Sequence, residues 1–168
     1  GIRTEHHEGE GVVPLLRTSL SYQANEALNF KFGAGQGFRQ VHLFSLDQAV
    51  HAGFDGVMVP NDLMPEKSLS LNLTASWRHV GRVSFKESLR LFSTEFRDKA
   101  ILEYSDEVGK ILYANADKAW SRGIAWNQDL VFRGGYSSRM NVNFSRVRYL
   151  NTAGEWEREH MTNEWTAS

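Results

Sequence analysis

The chain has 168 residues, of which 41% are hydrophobic and 23% charged, and its formal net charge is -1. Because 19 basic residues stand against 20 acidic ones, there is no polybasic field and nucleic acid is not expected as a partner. The chain contains no cysteine, which excludes disulfides, cysteine-ligated zinc and thiol nucleophiles. No apolar run reaches the roughly 18 residues that a membrane-spanning helix needs.

Apolar and polar residues alternate along most of the chain. In the first such segment Leu16, Leu20 and Tyr22 interleave with Arg17 and Ser21. Residues i and i+2 share a face in a strand but lie on nearly opposite sides of a helix. The pattern therefore predicts β-strands, in chain order, at 12–23, 26–38, 68–78, 82–96, 119–133 and 136–150.

The predicted strands have two unusual properties. Their polar positions are rich in Ser, Asn and Thr rather than in Lys and Glu. Their length exceeds the five or six residues usual in a soluble sheet and is close to the about 9–11 residues of a transmembrane strand. Both properties favour a lipid-facing apolar face backed by a polar lumen.

The connections between the predicted strands alternate in length. Short turns are predicted at 23–26, 78–81 and 133–137, whereas the connections at 39–67 and 97–118 are long and that at 151–157 is moderate. In an up-and-down meander every other connection lies at the same end, so tight turns gather at one end and long loops at the other. The sequence thus predicts an all-β fold, an antiparallel up-and-down meander of about seven or eight strands from a larger transmembrane β-barrel.

Glu87 does not fit the alternation. It falls on the face of strand 82–96 that also carries Phe85, Leu89 and Leu91. A charge on a lipid-facing surface costs up to a few kcal/mol at mid-bilayer, and less near the interfaces. We therefore expect Glu87 either near the short-turn end or on a strand that is not fully exposed to lipid.

Five segments, in this order, carry a resemblance to a known family. They are VPLLR with SYQANE (13–26), FGAGQGFR followed by LF (32–44), NDLMPEKS (61–68), LFSTEFRDKAI (91–101), and YANA followed by SRGI (113–124). They resemble the β-barrel of TonB-dependent outer-membrane receptors, in particular the Bacteroidetes-type branch. The GFR and PEKS elements are the most specific of the five.

The resemblance implies a function that the residues alone do not. It implies an outer-membrane receptor for TonB-coupled uptake of a bulky, scarce solute: a ferric siderophore, haem, cobalamin or a glycan. Implied partners are outer-membrane lipid, the TonB complex through a plug domain, and a small-molecule or metal-chelate ligand; no cofactor is expected. Since such receptors resemble 22-stranded barrels, residues 1–168 are expected to be part of the C-terminal half, without plug domain, signal peptide or last strands.

Three candidate ligand-binding residues lie in the long connection 39–67. Arg39 opens it as the last residue of the GFR element, and His42 and His51 follow. No catalytic or metal site is predicted, and an enzyme is not expected. The glycines at 33, 35 and 37 lack the G-x-G-x-x-G spacing and a following helix. His6 and His7 are adjacent on a strand and point to opposite faces.

The acidic residues Glu103, Asp106 and Glu107 form another candidate cluster, interpreted as a solvated loop because the sequence indicates no pocket around them.

One alternative fits the alternation equally well. In a soluble, secreted β-barrel or β-sandwich the apolar faces would point inward and bind a small apolar ligand or a partner protein. A solvent-facing exterior would then carry more Lys and Glu than the Ser, Asn and Thr found here.

Overall fold

The computed structural model describes residues 1–7, 11–39, 56–58, 63–104, 110–151, 154–159 and 163–168. Over these residues the chain is all β. The strands are β1 Ile2–His7, β2 Gly11–Gln23, β3 Leu28–Arg39, β4 Gly56–Met58, β5 Glu66–His79, β6 Val83–Tyr104, β7 Lys110–Phe132, β8 Ser137–Leu150, β9 Trp156–Arg158 and β10 Trp165–Ala167. No helix long and apolar enough to cross a membrane occurs in these ranges.

The strands form one sheet with the order β1-β2-β3-β5-β6-β7-β8-β10. Successive members of this path pair antiparallel, as the sequence predicts for an up-and-down meander. Two short strands lie off the path: β4 pairs in parallel with β7, and β9 pairs antiparallel with β8. We call the eight strands on the path the strand wall.

Short turns join β2 to β3, β5 to β6 and β7 to β8, and all three lie at the same end of the strand wall. In the first, the Asn25 side-chain oxygen accepts hydrogen bonds from the backbone N–H groups of Ala27 and Leu28, both at 2.9 Å. In the third, Gly135 has a φ of 85°, a left-handed conformation that glycine adopts without strain. These local contacts fix the hairpins, and the predicted turns fall where the structure has them.

The predicted long loop at 97–118 is wrong in extent. β6 continues to Tyr104 and β7 begins at Lys110, and the two remain paired from Lys99↔Ala116 to Tyr104↔Ile111. The pairing skips Asp98, whose φ of 54° is rare for a residue other than glycine. This irregularity shifts the alternation by one residue and so conceals the strand from a search for period two. Of the acidic cluster, Glu103 lies within β6, whereas Asp106 and Glu107 fall outside the described residues.

The two faces of the strand wall differ sharply in polarity. Two adjacent cross-strand rows on one face are apolar throughout, and we call them the apolar band. The first is Leu20, Phe32, Leu73, Leu91, Ile124, Phe144 and Trp165; the second is Tyr22, Phe30, Ala75, Leu89, Trp126, Val142 and Ala167. The residues that lie between these two rows in the sequence point to the opposite face of the sheet, which is polar. They are Ser21, Lys31, Thr74, Arg90, Ala125, Asn143 and Thr166.

The apolar band is exposed. Leu20 is 68% accessible, Leu73 45% and Trp165 67%. The described part of the chain has one cluster of buried residues, and it lies outside the apolar band, toward the end opposite the short turns. Its members are Ile101, Ala116, Ala119 and Tyr149. A contiguous exposed apolar surface of this kind marks contact with another molecule or with a membrane.

Glu87 lies in the row next to the apolar band on the short-turn side, opposite Trp77 and Gln128. Gln128 Nε2 donates a hydrogen bond of 2.7 Å to Glu87 Oε1. The position agrees with the first of the two expectations, a carboxylate near the short-turn end, and the bond satisfies part of its hydrogen-bonding need.

Candidate ligand-facing rim of the strand wall

The polar face carries a group of interacting side chains at the end opposite the short turns. We call this group the polar-face rim: Arg39, Glu66, Lys99, Tyr149, Glu157 and Glu159. It includes Glu66 and Lys99, the two buried charged residues in the described part of the chain, each 7% accessible. Buried charges persist only when they are paired, so the partners define the site.

Arg39 and Glu66 form the first pair. Arg39 ends β3 and lies directly opposite Glu66, the first residue of β5. Arg39 Nη2 lies 3.1 Å from Glu66 Oε2; the arginine side chain is 64% accessible and the glutamate side chain 8%. The pair joins the end of β3 to the start of β5, and it leaves the remaining guanidinium donors accessible. It also gives a physical reason for the GFR and PEKS elements to occur together, since the arginine of one meets the glutamate of the other.

Lys99 and Glu159 form the second pair, between residues that are 60 positions apart in the chain. The ammonium group of Lys99 also lies over the ring of Phe96, 6.0 Å from its centroid. Tyr149 donates a hydrogen bond of 3.0 Å from its hydroxyl group to Glu157 Oε2. These contacts attach the segment around β9 to the strand wall through carboxylates on the polar face.

Asn115 fixes the point at which the connection 40–65 rejoins the strand wall. Its side-chain Nδ2 donates to the carbonyl oxygens of Met64, at 3.0 Å, and Asp98, at 2.7 Å. Its Oδ1 accepts from the backbone N–H of Met64 at 2.8 Å. One amide side chain thus pairs with Met64 as a neighbouring strand would, and also binds the backbone at the irregular residue Asp98.

The structure describes one of the three ligand residues predicted from the sequence. Arg39 is the last residue of β3 and lies on the polar face at this rim, and its role in ligand binding stays a prediction; His42 and His51 lie outside the described residues. The sequence did not predict Lys99, Asn115 and Glu159 as site residues. Their contacts join residues that are distant in the chain, and no local sequence motif indicates them. Nowhere in the described ranges do three or more His, Asp or Glu side chains come together as metal ligands would.

An antiparallel meander with tight turns at one end, an exposed apolar band and a polar opposite face has the architecture of a β-barrel wall. The chain belongs to the TonB dependent receptor-like, beta-barrel family, whose model matches residues 1–167. This confirms the family that the sequence motifs indicate, and the family is one of transport receptors rather than of enzymes.

The fold is also similar to a solved structure, that of the siderophore receptor PirA from Pseudomonas aeruginosa, with a TM-score of 0.68. The two share 15% sequence identity, and the match covers 90% of this chain and 34% of the PirA chain. This chain therefore spans about a third of the receptor it resembles. No curated protein matches it in sequence.

Proposed function

We propose that this chain forms part of the wall and the extracellular rim of an outer-membrane receptor. The receptor takes up a bulky, scarce solute, with energy supplied through TonB by way of a plug domain elsewhere in the polypeptide. The observation that carries the proposal is the apolar band, in which two whole cross-strand rows are apolar, while six of the seven residues in the row between them are polar. Membership of the receptor family supports the same function.

The apolar band faces the hydrocarbon of the outer membrane in this proposal, and the polar face lines the lumen. Short turns then lie on the periplasmic side and the polar-face rim on the extracellular side, the arrangement common to outer-membrane barrels. The alternative of a soluble barrel would place the same apolar rows inside.

The ligand class we propose is the one implied by the family: a ferric siderophore, haem, cobalamin or a glycan. Arg39 contributes to its binding through the guanidinium donors that the pair with Glu66 leaves accessible. His42 and His51 remain predicted contacts of the same ligand.

Single-cysteine labelling tests the orientation. Residues 1–168 contain no cysteine, and any cysteine elsewhere in the full-length polypeptide is replaced by Ser before labelling. Leu73→Cys and Thr74→Cys are adjacent residues on opposite faces of β5. In the full-length polypeptide in outer membranes, we expect a lipid-soluble maleimide to label Leu73→Cys and a membrane-impermeant maleimide to label only Thr74→Cys. Equal labelling of both by the impermeant reagent would contradict the lipid-facing assignment, and the reverse pattern would favour the soluble barrel.

Uptake tests the transport step. Cells that depend on this receptor should grow on one class of ferric chelate, haem, cobalamin or glycan, and should lose that growth when TonB is deleted. Arg39→Gln is expected to weaken ligand binding several-fold, because a charged hydrogen bond is removed. It also takes the ion-pair partner from the buried Glu66, so heat-modifiable mobility in gels checks that the variant is folded before binding is compared. Growth that is independent of TonB would overturn the coupling.

A further inference from the structure

The face that carries the apolar band becomes basic toward the end opposite the short turns. Three consecutive rows there are rich in Arg and Lys, and we call their cations the basic belt: Lys67, Arg97, Lys118, Arg122, Arg146, Arg148 and Arg158. Two carboxylates form ion pairs with members of this belt. Glu95 Oε1 lies 3.5 Å from Arg122 Nη2. Glu164 Oε1 lies 3.2 Å from Arg146 Nε and 3.6 Å from Arg158 Nε.

The cations of the belt lie opposite one another rather than opposite acids. Lys67 pairs with Arg97, which pairs with Lys118 on its other side. In the neighbouring rows Arg122 is opposite Arg146, and Arg148 is opposite Arg158. Like charges directly opposite each other in a sheet destabilise it. Glu95 and Glu164 offset part of this charge at Arg122, Arg146 and Arg158, whereas no ion pair is seen for Lys67, Arg97 and Lys118 among the described residues. This last row therefore indicates a surface that is complemented by an anion.

A groove runs along this part of the face, with a volume of about 850 Å³. Lys67, Arg97, Lys118 and Arg122 contribute to its lining together with Trp120 and Trp156, whose ring centroids are 6.4 Å apart. The guanidinium group of Arg122 lies 4.9 Å from the centroid of the Trp120 ring.

Arg148 adds a donor to this region, since its Nε is buried and has no hydrogen-bond partner in the described part of the chain. The cations extend from β5 to β9, four strand spacings or about 19 Å. That width exceeds one phosphate group and suits an anion with several charged groups.

The groove is continuous with the apolar band. Along β5, Lys67 is followed on the same face by Leu69, Leu71 and Leu73. Along β7, Arg122 is followed by Ile124 and Trp126. A ligand that contacts both surfaces has an anionic head beside an apolar body. Tryptophan side chains are enriched at such a boundary between lipid and water.

We propose that the basic belt binds the headgroup of a membrane lipid carrying two or more phosphates, while its acyl chains lie on the apolar band. This inference rests on the function proposed above, because it requires the apolar band to face lipid. Charge complementarity and continuity with the lipid-facing surface favour a lipid over a soluble anion.

Lipid binding to the full-length polypeptide in phosphatidylcholine nanodiscs tests this inference, with bisphosphorylated lipid A as the probe and its monophosphorylated form for comparison. The belt variant replaces Lys67, Arg97 and Lys118 with Gln. A matched control, Lys31→Gln, Lys86→Gln and Arg90→Gln, removes the same charge from the polar face of β3 and β6. A conservative variant, Lys67→Arg, Arg97→Lys and Lys118→Arg, keeps the charge of the belt.

Each cation near a membrane surface contributes about fivefold in affinity, so the belt variant is expected to bind bisphosphorylated lipid A roughly 100-fold more weakly. The control and conservative variants should stay within about threefold of the parent, and the monophosphorylated lipid should bind more weakly than the bisphosphorylated one.

Unchanged affinity in the belt variant would overturn the proposal, as would an equal loss in the control. Pyrophosphate that binds as tightly as the lipid would show a site for soluble anions and would also overturn it. Heat-modifiable mobility in gels confirms that each variant is folded. If the cysteine-labelling test supports the lipid-facing assignment but the belt variant binds normally, the proposed function stands and only the lipid site is rejected.

Discussion

The half of the strand wall near the short turns and the half at the opposite end use the same strands in different ways. Near the short turns, the rows of the apolar band alternate without interruption with polar rows on the other face. Toward the opposite end, the pairing skips Asp98, two charged residues are buried, and cations face one another across strands.

Two requirements therefore act on one sheet. The regular half needs only an apolar surface and tight turns, which alternation and turn residues supply locally. The irregular half carries polar contacts that are made between distant parts of the chain, as in the pair Lys99–Glu159. We therefore expect substitutions in the regular half to affect insertion and stability, and those in the irregular half to affect local order and binding.

Gly123→Val is expected to have the largest effect, because it adds side-chain atoms where none fit. A Cβ at Gly123 would lie 2.3 Å from the carbonyl oxygen of Phe144 and 2.4 Å from Cζ of Phe92. The backbone oxygen cannot move without breaking the pairing of β7 with β8, so we expect the full-length polypeptide not to fold into its heat-modifiable form.

Gly33→Ala is the control for that substitution, since the nearest atom to its Cβ would be the Thr18 carbonyl oxygen at 4.0 Å. This variant should fold with a free energy of unfolding within about 1 kcal/mol of the parent. A Gly123→Val protein with normal heat-modifiable mobility would contradict the close packing of Phe92 over β7.

Leu73→Arg and Leu69→Arg compare the two halves directly. The two leucines lie on the same face of β5 and are similarly accessible, 45% and 47%. Leu73 lies between Phe32 and Leu91 in the apolar band, whereas Leu69 lies between Gln36 and Glu95 beside the basic belt. A charge at mid-bilayer costs about 2–4 kcal/mol and near an interface about 0–1 kcal/mol.

We therefore expect Leu73→Arg to lower the free energy of unfolding by about 2–4 kcal/mol and Leu69→Arg by at most about 1 kcal/mol. Urea unfolding of the full-length polypeptide in lipid vesicles, followed by tryptophan fluorescence, measures both values. Equal losses for the two substitutions would mean that the membrane boundary does not lie between residues 69 and 73.

The sequence alone is sufficient to predict the regular half. The alternation from Leu69 to Trp77 and the turns at Asn25 and Gly135 predict β5 and two hairpins in the places where the structure has them. These features are local: side chains alternate with a period of two, and turn residues act within three or four positions.

The irregular half could not be predicted in the same way. The left-handed Asp98 shifts the period and hides the ends of β6 and β7. The rim and the basic belt depend on register, which determines that Lys99 meets Glu159 and that Arg97 is opposite both Lys67 and Lys118. The motif resemblance located Arg39 near the rim but gave no reason for its pair with Glu66.

Glu159→Gln tests the buried pair of the irregular half. It leaves the charge of Lys99 in place, with a side chain only 9% accessible, and removes its carboxylate partner. Because Glu159 is itself 29% accessible, we expect a loss of about 1–3 kcal/mol rather than the larger cost of a fully buried pair.

The exposed pair Arg122–Glu95 provides the comparison for this prediction, with side chains 55% and 68% accessible. Glu95→Gln should cost less than about 1 kcal/mol in the same urea experiment. If Glu159→Gln costs no more than Glu95→Gln, the pair with Lys99 does not hold the β9 segment to the strand wall.

Asn115→Ala has the smallest expected effect on the strand wall and a larger one on the attachment of Met64. It removes the hydrogen bonds of one amide to the backbone of Met64 and Asp98. Amide exchange at Met64 should become about 5–10-fold faster, which corresponds to the loss of about one net hydrogen bond, while the free energy of global unfolding changes by less than about 1 kcal/mol.

Asn115→Asp separates the parts of that contact, because its oxygen can still accept from the Met64 N–H but it cannot donate to either carbonyl. It should protect the Met64 amide better than Asn115→Ala does, although both lose the bond to Asp98. If both substitutions instead reduce the free energy of global unfolding equally and leave amide exchange at Met64 unchanged, Asn115 belongs to the regular half of the strand wall. The boundary between the two halves would then lie beyond β7 residue 115.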